Sequence, residues 1–228
     1  MGESWRVARS ASMRRFTRSR LIHAPPARAD GTSAEDSPWR RDAREERFSN
    51  AWFRVYEDQA WNRRSDRSFD YGVVSFANRA VGILALEPDG HVWMVGQHRY
   101  PTGEFSWELP MGGVPLADCL LEGAQRELKE ETGLTARDWE VLLERVHLSN
   151  SVTDEAGCVF LATGLEQGEM EAEPSEELWV ATVPLPIAVR GVLNGDITDS
   201  LTVSGLLALA VRASHFGLQH LLAEAVAP

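Results

Sequence analysis

Gly112-Gly113-Val114-Pro115-Leu116-Ala117-Asp118-Cys119-Leu120-Leu121-Glu122-Gly123-Ala124-Gln125-Arg126-Glu127-Leu128-Lys129-Glu130-Glu131-Thr132-Gly133-Leu134 contains a helix start, a helix stop and an unusual charge pattern. A glycine-rich loop leads to Asp118, which suits the N-cap and the helix dipole, and Gly133 suits the residue just past the C-terminus. Between them Leu120, Leu121, Ala124 and Leu128 recur at helical spacing, so residues 119–132 are predicted as an amphipathic helix. Glu127, Glu130 and Glu131 then share the opposite face within one turn. Like charges at i, i+3 and i+4 each cost a few tenths of a kcal/mol. Such repulsion makes sense when a cation sits among the carboxylates, and hard Mg²⁺ or Mn²⁺ is the ion that carboxylate oxygens prefer. Taken alone, an acidic helix face is also what a solvated surface looks like.

The flanking glycines and the fixed spacing resemble the Nudix hydrolase box: Gly, five residues, Glu, seven residues, Arg-Glu, an apolar residue, any, Glu-Glu, any, Gly, apolar. Gly112, Arg126, Glu127, Leu128, Glu130, Glu131, Gly133 and Leu134 all fall in register. The one departure is Asp118, where the family has Glu; that position typically braces the loop and the arginine. The resemblance implies an α/β fold, an α/β/α sandwich with a mixed sheet. It also implies hydrolysis of a pyrophosphate bond with Mg²⁺ or Mn²⁺ as cofactor. Glu127 and Glu131 are the first expected metal ligands and Glu130 the third, and the resemblance adds the backbone carbonyl of Met111. Arg126 would orient a glutamate or brace the loop; a surface pair with Glu122 is the plainer reading.

The flanks resemble the ADP-ribose pyrophosphatase branch. They are Val95-Gly96-Gln97-His98-Arg99-Tyr100-Pro101, Ser106-Trp107-Glu108-Leu109-Pro110, the loop Ser149-Asn150-Ser151-Val152-Thr153-Asp154-Glu155, and the ending Gly195-Asp196-Ile197-Thr198-Asp199-Ser200. The loop lacks the Ser-Pro-Gly start common in that branch. By this resemblance Arg99 is expected near the substrate phosphates or ribose, where its guanidinium fork suits them; an ion pair bracing the loop is the alternative. Glu108 would meet metal or substrate, or simply end a strand. Trp52 is a candidate to stack on adenine, with core or dimer packing as its competitor, and the same holds for Trp61. A carboxylate after the box often acts as base in this branch; in Glu171-Ala172-Glu173-Pro174-Ser175-Glu176-Glu177 the expected base is Glu176. His147, Cys119 and Cys158 read as structural.

Outward from the box, Trp52–Tyr56 and Tyr71–Phe76 read as strands. Ala80–Leu86 and His91–Gly96 form a hairpin about Glu87-Pro88-Asp89-Gly90, and Ser106–Leu109 is a further strand. Val141–Leu148, Val159–Ala162 and Leu178–Val183 follow as strands. Pro186–Leu193 and Leu201–His215 read as helices, the last capped by Ser200. Many strands, one helix, more strands and then helices indicate a mixed α/β domain. The reading assigns 1–47 to a disordered Arg-rich tail and linker, 48–78 to an N-terminal strand region used for dimerisation, 79–215 to the hydrolase domain and 216–228 to a C-terminal tail.

Composition sets the remaining limits. The 228 residues carry a net charge of −11, which argues against a nucleic-acid partner and suits an enzyme that brings cations to an anionic substrate. The longest apolar run, Gly205–Val211, is far short of the roughly 20 residues that span a bilayer, so no membrane partner is expected. Two cysteines make neither a disulfide framework nor a four-ligand zinc site. Residues 1–28 hold seven arginines and one acid, as a disordered tail, a transit peptide or a translated upstream stretch would. Cytoplasmic is the default location. The expected activity is hydrolysis of ADP-ribose, or a close nucleoside-diphosphate sugar, by a homodimer. The competitors are a Nudix hydrolase of a GDP-sugar, dinucleotide or nucleoside triphosphate, a catalytically silent nucleotide sensor, and a purely structural acidic-helix module.

Overall fold

The computed structural model describes residues 37–170 and 177–213. Its strands are β1 (Trp39–Ser49), β2 (Phe53–Asn62), β3 (Arg67–Phe76), β4 (Asn78–Ala85), β5 (His91–Arg99), β6 (Glu104–Glu108), β7 (Met111–Pro115), β8 (Leu134–His147), β9 (Ala156–Gln167) and β10 (Trp179–Pro184). Helix α1 (Leu120–Thr132) lies between β7 and β8, and α2 (Leu185–Asn194) and α3 (Ser200–Arg212) follow β10. Three sheets run in the orders β1-β2-β3, β10-β5-β6 and β7-β4-β9-β8. The last is mixed, because β4 pairs parallel with β9 while β7 and β8 are antiparallel to their neighbours.

Two compact units divide the chain. Within the smaller, whose described residues are 37–42 and 60–69, Arg40 stacks over Trp61 at 4.5 Å and Trp39 meets Phe69 edge-on at 5.8 Å. The larger, described over 43–59, 70–170 and 177–213, holds both apolar cores. Alternation along β4 shows how they arise, since successive strand side chains point to opposite faces. Val81, Ile83 and Ala85 pack with Val114, Ala124, Leu128 and Cys158 on the α1 side. Leu84 and Leu86 pack with Leu109, Val159, Leu201, Leu206 and Leu209 on the side of α2 and α3. The result is the expected α/β/α sandwich.

Several local expectations are corrected. Residues 39–47 are strand β1 rather than tail; residues 1–36 and 216–228 lie outside the described residues. Every residue of β1 is exposed, so it has no apolar alternation to read. Ion pairs to β2 hold it instead: Arg44 bonds Asp58 through two contacts of 2.7 Å, and Arg47 reaches Glu57 at 3.2 Å. The loop at 111–115 is strand β7, since its glycines are edge-paired with β4 from Asn78↔Pro115 to Gly82↔Met111. Asp118 is not the N-cap of α1. Its N–H closes a turn onto Pro115 O at 2.9 Å, and Cys119 takes the cap position without a side-chain bond. In α3 the cap is Asp199 rather than Ser200, its carboxylate accepting from Thr202 N at 2.8 Å. The stop at Gly133 is as expected, with φ 75° in the left-handed region that glycine enters without strain.

Candidate active site

A cleft of about 560 Å³ opens within the larger unit where β4, β5, β7 and α1 meet. Met111, Gly112 and Gly113 form its floor, and Arg126, Glu127, Glu130 and Glu131 line it from the helix. The sequence builds this by packing. Gly123 lets α1 approach β7 closely, because a Cβ there would overlap the buried Val114 side chain. One helical turn later the glutamate face is therefore held against the β7 backbone.

Each glutamate has a partner. Glu131 is 5% exposed and its Oε2 accepts the Met111 N–H at 2.9 Å, tying the helix to the strand. Arg126 Nη2 donates to Glu127 Oε1 at 2.5 Å and Arg126 Nε stands 3.5 Å from Glu130. Arg126 thus clamps two box glutamates rather than pairing with Glu122. The Glu127 hydrogen bond, and then its charge, raise the Arg126 pKa. The Glu127 carboxyl rests directly on Gly112: a Cβ at 112 would fall well under 3.0 Å from its carboxyl carbon and both oxygens.

Among the described residues no three acidic, His or Cys side chains form a ready coordination shell. The donor set still fits a hard divalent cation. It offers three carboxylates beside a strand whose missing Cβ leaves a cradle, with each carboxylate held by a bond that a cation can replace or share.

Arg99 lines the cleft; Glu108 does not. Glu108 is 2% exposed on β6 and receives Arg99 through a two-point contact, Nε to Oε1 at 3.0 Å and Nη2 to Oε2. That charge-assisted fork fixes the guanidinium at the cleft wall, and Glu108, foremost by its hydrogen bond, raises the Arg99 pKa. Trp52 lines the cleft with its side chain 67% exposed. Trp61 lies in the smaller unit under Arg40. His147 is an exposed residue outside the cleft. Glu176 lies outside the described residues.

The cleft also contains residues the sequence did not single out: Phe76, Asn78, Arg79, Gln97 and Glu155. Glu155 ends a loop that was legible as a motif without showing which of its acids faces inward. Burial, and then the charges of Asp154 and Asp199, raise its carboxyl above the usual range. Asn78 and Arg79 open a buried strand; two polar residues at the head of an apolar run were the available signal.

Fold and site together define a three-layer α/β sandwich in which a glutamate-faced helix is docked on a glycine-bearing strand beside a nucleotide-sized cleft. The chain belongs to the Nudix family: residues 77–188 match the NUDIX domain. It is 31% identical over 135 residues to an ADP-ribose pyrophosphatase of Bacillus subtilis, covering 58% of this chain and 72% of the relative. It is 40% identical over 136 residues to an ADP-ribose pyrophosphatase of Mycobacterium tuberculosis, covering 57% of this chain and 64% of that relative's length. A crystal structure of an ADP compounds hydrolase has the same fold, with a TM-score of 0.72 at 20% identity, over 82% of this chain and 100% of the other. Among the described residues no helix is long and apolar enough to cross a membrane.

Proposed function

We propose that the chain hydrolyses the diphosphate bond of ADP-ribose or a close nucleoside-diphosphate sugar, giving AMP and ribose 5-phosphate from the former. The observation that carries this is the Glu127 carboxyl seated on Gly112, with Glu130 and Glu131 beside it at the cleft floor. The ADP-ribose pyrophosphatase relatives support the substrate class.

Glu127, Glu130, Glu131 and the Met111 carbonyl would hold Mg²⁺ or Mn²⁺. When bound, such a cation neutralises phosphate oxygens and lowers the pKa of the attacking water. Arg126 keeps Glu127 and Glu130 turned toward β7 until they are needed. Arg99, fixed by Glu108, presents its remaining donors to a phosphate or ribose oxygen. Trp52 offers an exposed ring for the adenine to stack on. Water adds across the P–O–P bond, one phosphate taking the hydroxyl and the other departing as a phosphomonoester. The proton released from the water passes to a loop carboxylate, for which Glu176 is the assigned acceptor. We assign a second copy of the chain as the partner of the N-terminal strand region, residues 48–78, and the cytoplasm as the location.

The test is product analysis of ADP-ribose incubated with the protein and Mg²⁺ or Mn²⁺, beside Glu131→Gln. AMP and ribose 5-phosphate from the parent, lost in a folded variant, are the expected result. No product from the parent with either ion sinks the ADP-ribose assignment and leaves another nucleoside diphosphate derivative, or binding without turnover, to be tried.

A further inference from the structure

Three arginines line the cleft, and two of them have carboxylate partners: Arg99 has Glu108, and Arg126 has Glu127 and Glu130. Arg79 differs. It stands on β4 opposite Val114, on the α1 side of the sheet. Among the described residues its Nη2 makes two long bonds to backbone carbonyls, 3.4 Å to Leu116 and 3.3 Å to Asp118. Its Nε is buried and, among the described residues, has no hydrogen-bond acceptor. Its charge acts on the buried Cys158 thiol, opposing the burial that pushes that group up to about 11.

Arg79 is half-buried at the cleft, with one buried, unanswered Nε donor and no carboxylate partner among the described residues, so its charge is available to an anion there. A buried donor left without an acceptor is unfavourable, and proteins seldom retain one without a use. Beside it on β7, Gly112 and Gly113 carry no side chains of their own; the Glu127 carboxyl rests over Gly112 and the Asn78 amide over Gly113. The α1 wall of the cleft is acidic, with Glu127, Glu130 and Glu131. An anion entering here meets repulsion from the helix unless a cation bridges it, and attraction from β4.

We propose that Arg79 is a substrate-binding residue that takes a phosphate oxygen of the bound nucleoside diphosphate and so fixes the diphosphate on the β4 side of the cleft. This rests on reading the cleft as a diphosphate site, and it adds a residue outside the Nudix box to that site. The geometry also brings Arg79 to the loop of Leu116 and Asp118. The phosphate contact therefore couples ligand binding to the turn that starts α1.

The experiment compares binding of α,β-methylene-ADP, whose bridge resists hydrolysis, with binding of adenosine. Titration calorimetry with Mg²⁺ present would use the full chain, Arg79→Gln and Arg79→Lys. Loss of one charge-assisted bond to phosphate weakens binding roughly 10- to 100-fold. The expected result is that weakening for α,β-methylene-ADP in Arg79→Gln, partial recovery in Arg79→Lys, and unchanged adenosine binding. Thermal melting of each variant reports whether it folds. Equal binding of α,β-methylene-ADP by parent and Arg79→Gln overturns the assignment. So does equal weakening for both ligands, which is what a loop brace alone would give, and so does a parent that binds neither. A parent that binds α,β-methylene-ADP through Arg79 yet leaves ADP-ribose intact would instead sink the hydrolase reading while keeping this one.

Discussion

Replacing Gly112 with Ala tests whether the carboxylate seat serves chemistry or stability. The added Cβ would lie well under 3.0 Å from the Glu127 carboxyl carbon and both oxygens. Those atoms are the far end of a flexible side chain, so Glu127 can swing outward. Its bond to Arg126 goes with it, a loss of about 1 kcal/mol or less for a contact whose arginine is largely in water. Melting should therefore drop by roughly 2–4 °C at most. Activity responds differently. A ligand moved by an ångström or more leaves the reacting geometry, and misplacement of that size costs on the order of 100-fold in rate. Gly123→Ala is the matched control. Its Cβ would overlap Val114, a fully buried side chain that cannot swing into solvent. Overpacking at the upper end of about 1–3 kcal/mol, offset by about 1 kcal/mol of helix propensity, leaves a net loss of about 2 kcal/mol, or roughly 4–8 °C. Calorimetry and AMP release on both variants give the comparison. Should Gly112→Ala melt as low as Gly123→Ala while keeping parental turnover, the seat is only packing and the reasoning fails.

Three more expectations concern other side chains of the larger unit. Arg99→Ala strands the buried Glu108 carboxylate and should lower stability by roughly 2–3 kcal/mol, below the full range for a buried pair because Arg99 is partly in water; adding Glu108→Gln should restore part of it in denaturant melts. Glu155 has a carboxyl raised by burial, so the folded state holds its proton to higher pH than the unfolded chain does. The parent should match Glu155→Gln in stability near pH 4 and fall behind it as pH rises through and above the usual carboxylate range; a flat difference across that window would refute the burial. With Cys119 exposed and the Cys158 thiol buried and pushed up to about 11, iodoacetamide at pH 8 should add one group to the folded chain and two after denaturation, as mass spectrometry would count.

What the sequence made legible was what local chemistry determines. The glutamate spacing, the apolar stripe of α1 and the left-handed Gly133 follow from helical periodicity and backbone sterics, and they appear where expected. Strand β1 did not, because its stability comes from arginine–carboxylate pairs to β2 and no core-facing pattern marks it. Likewise β7 reads as a loop because two of its five residues are glycine, yet pairing with β4 is a long-range fact. In the cleft the helix residues were readable, whereas Arg79 and Glu155 are brought in by the sheet and by a loop. The mutual pairing of Arg99 with Glu108 depends on the register of β5 and β6, in which Arg99 lies opposite Glu104 and four residues from Glu108's partner Val95. Register of that kind is invisible before the strands are placed.

The parallel pairing of β4 with β9 has a consequence for synthesis. Ala80 meets Gly157 and Ala85 meets Ala162, so the central strand lacks one neighbour until 77 further residues have been made. A ribosome emitting this chain exposes a strand of Val81, Ile83 and Leu84 with one edge open, after the glutamate helix has already emerged. Contacts at such separation slow folding and leave unpaired edges exposed to aggregation. Arrest of translation before residue 157 should yield nascent chains that hold α1 yet bind holdase chaperones. Arrest after β9 has cleared the exit tunnel should release them.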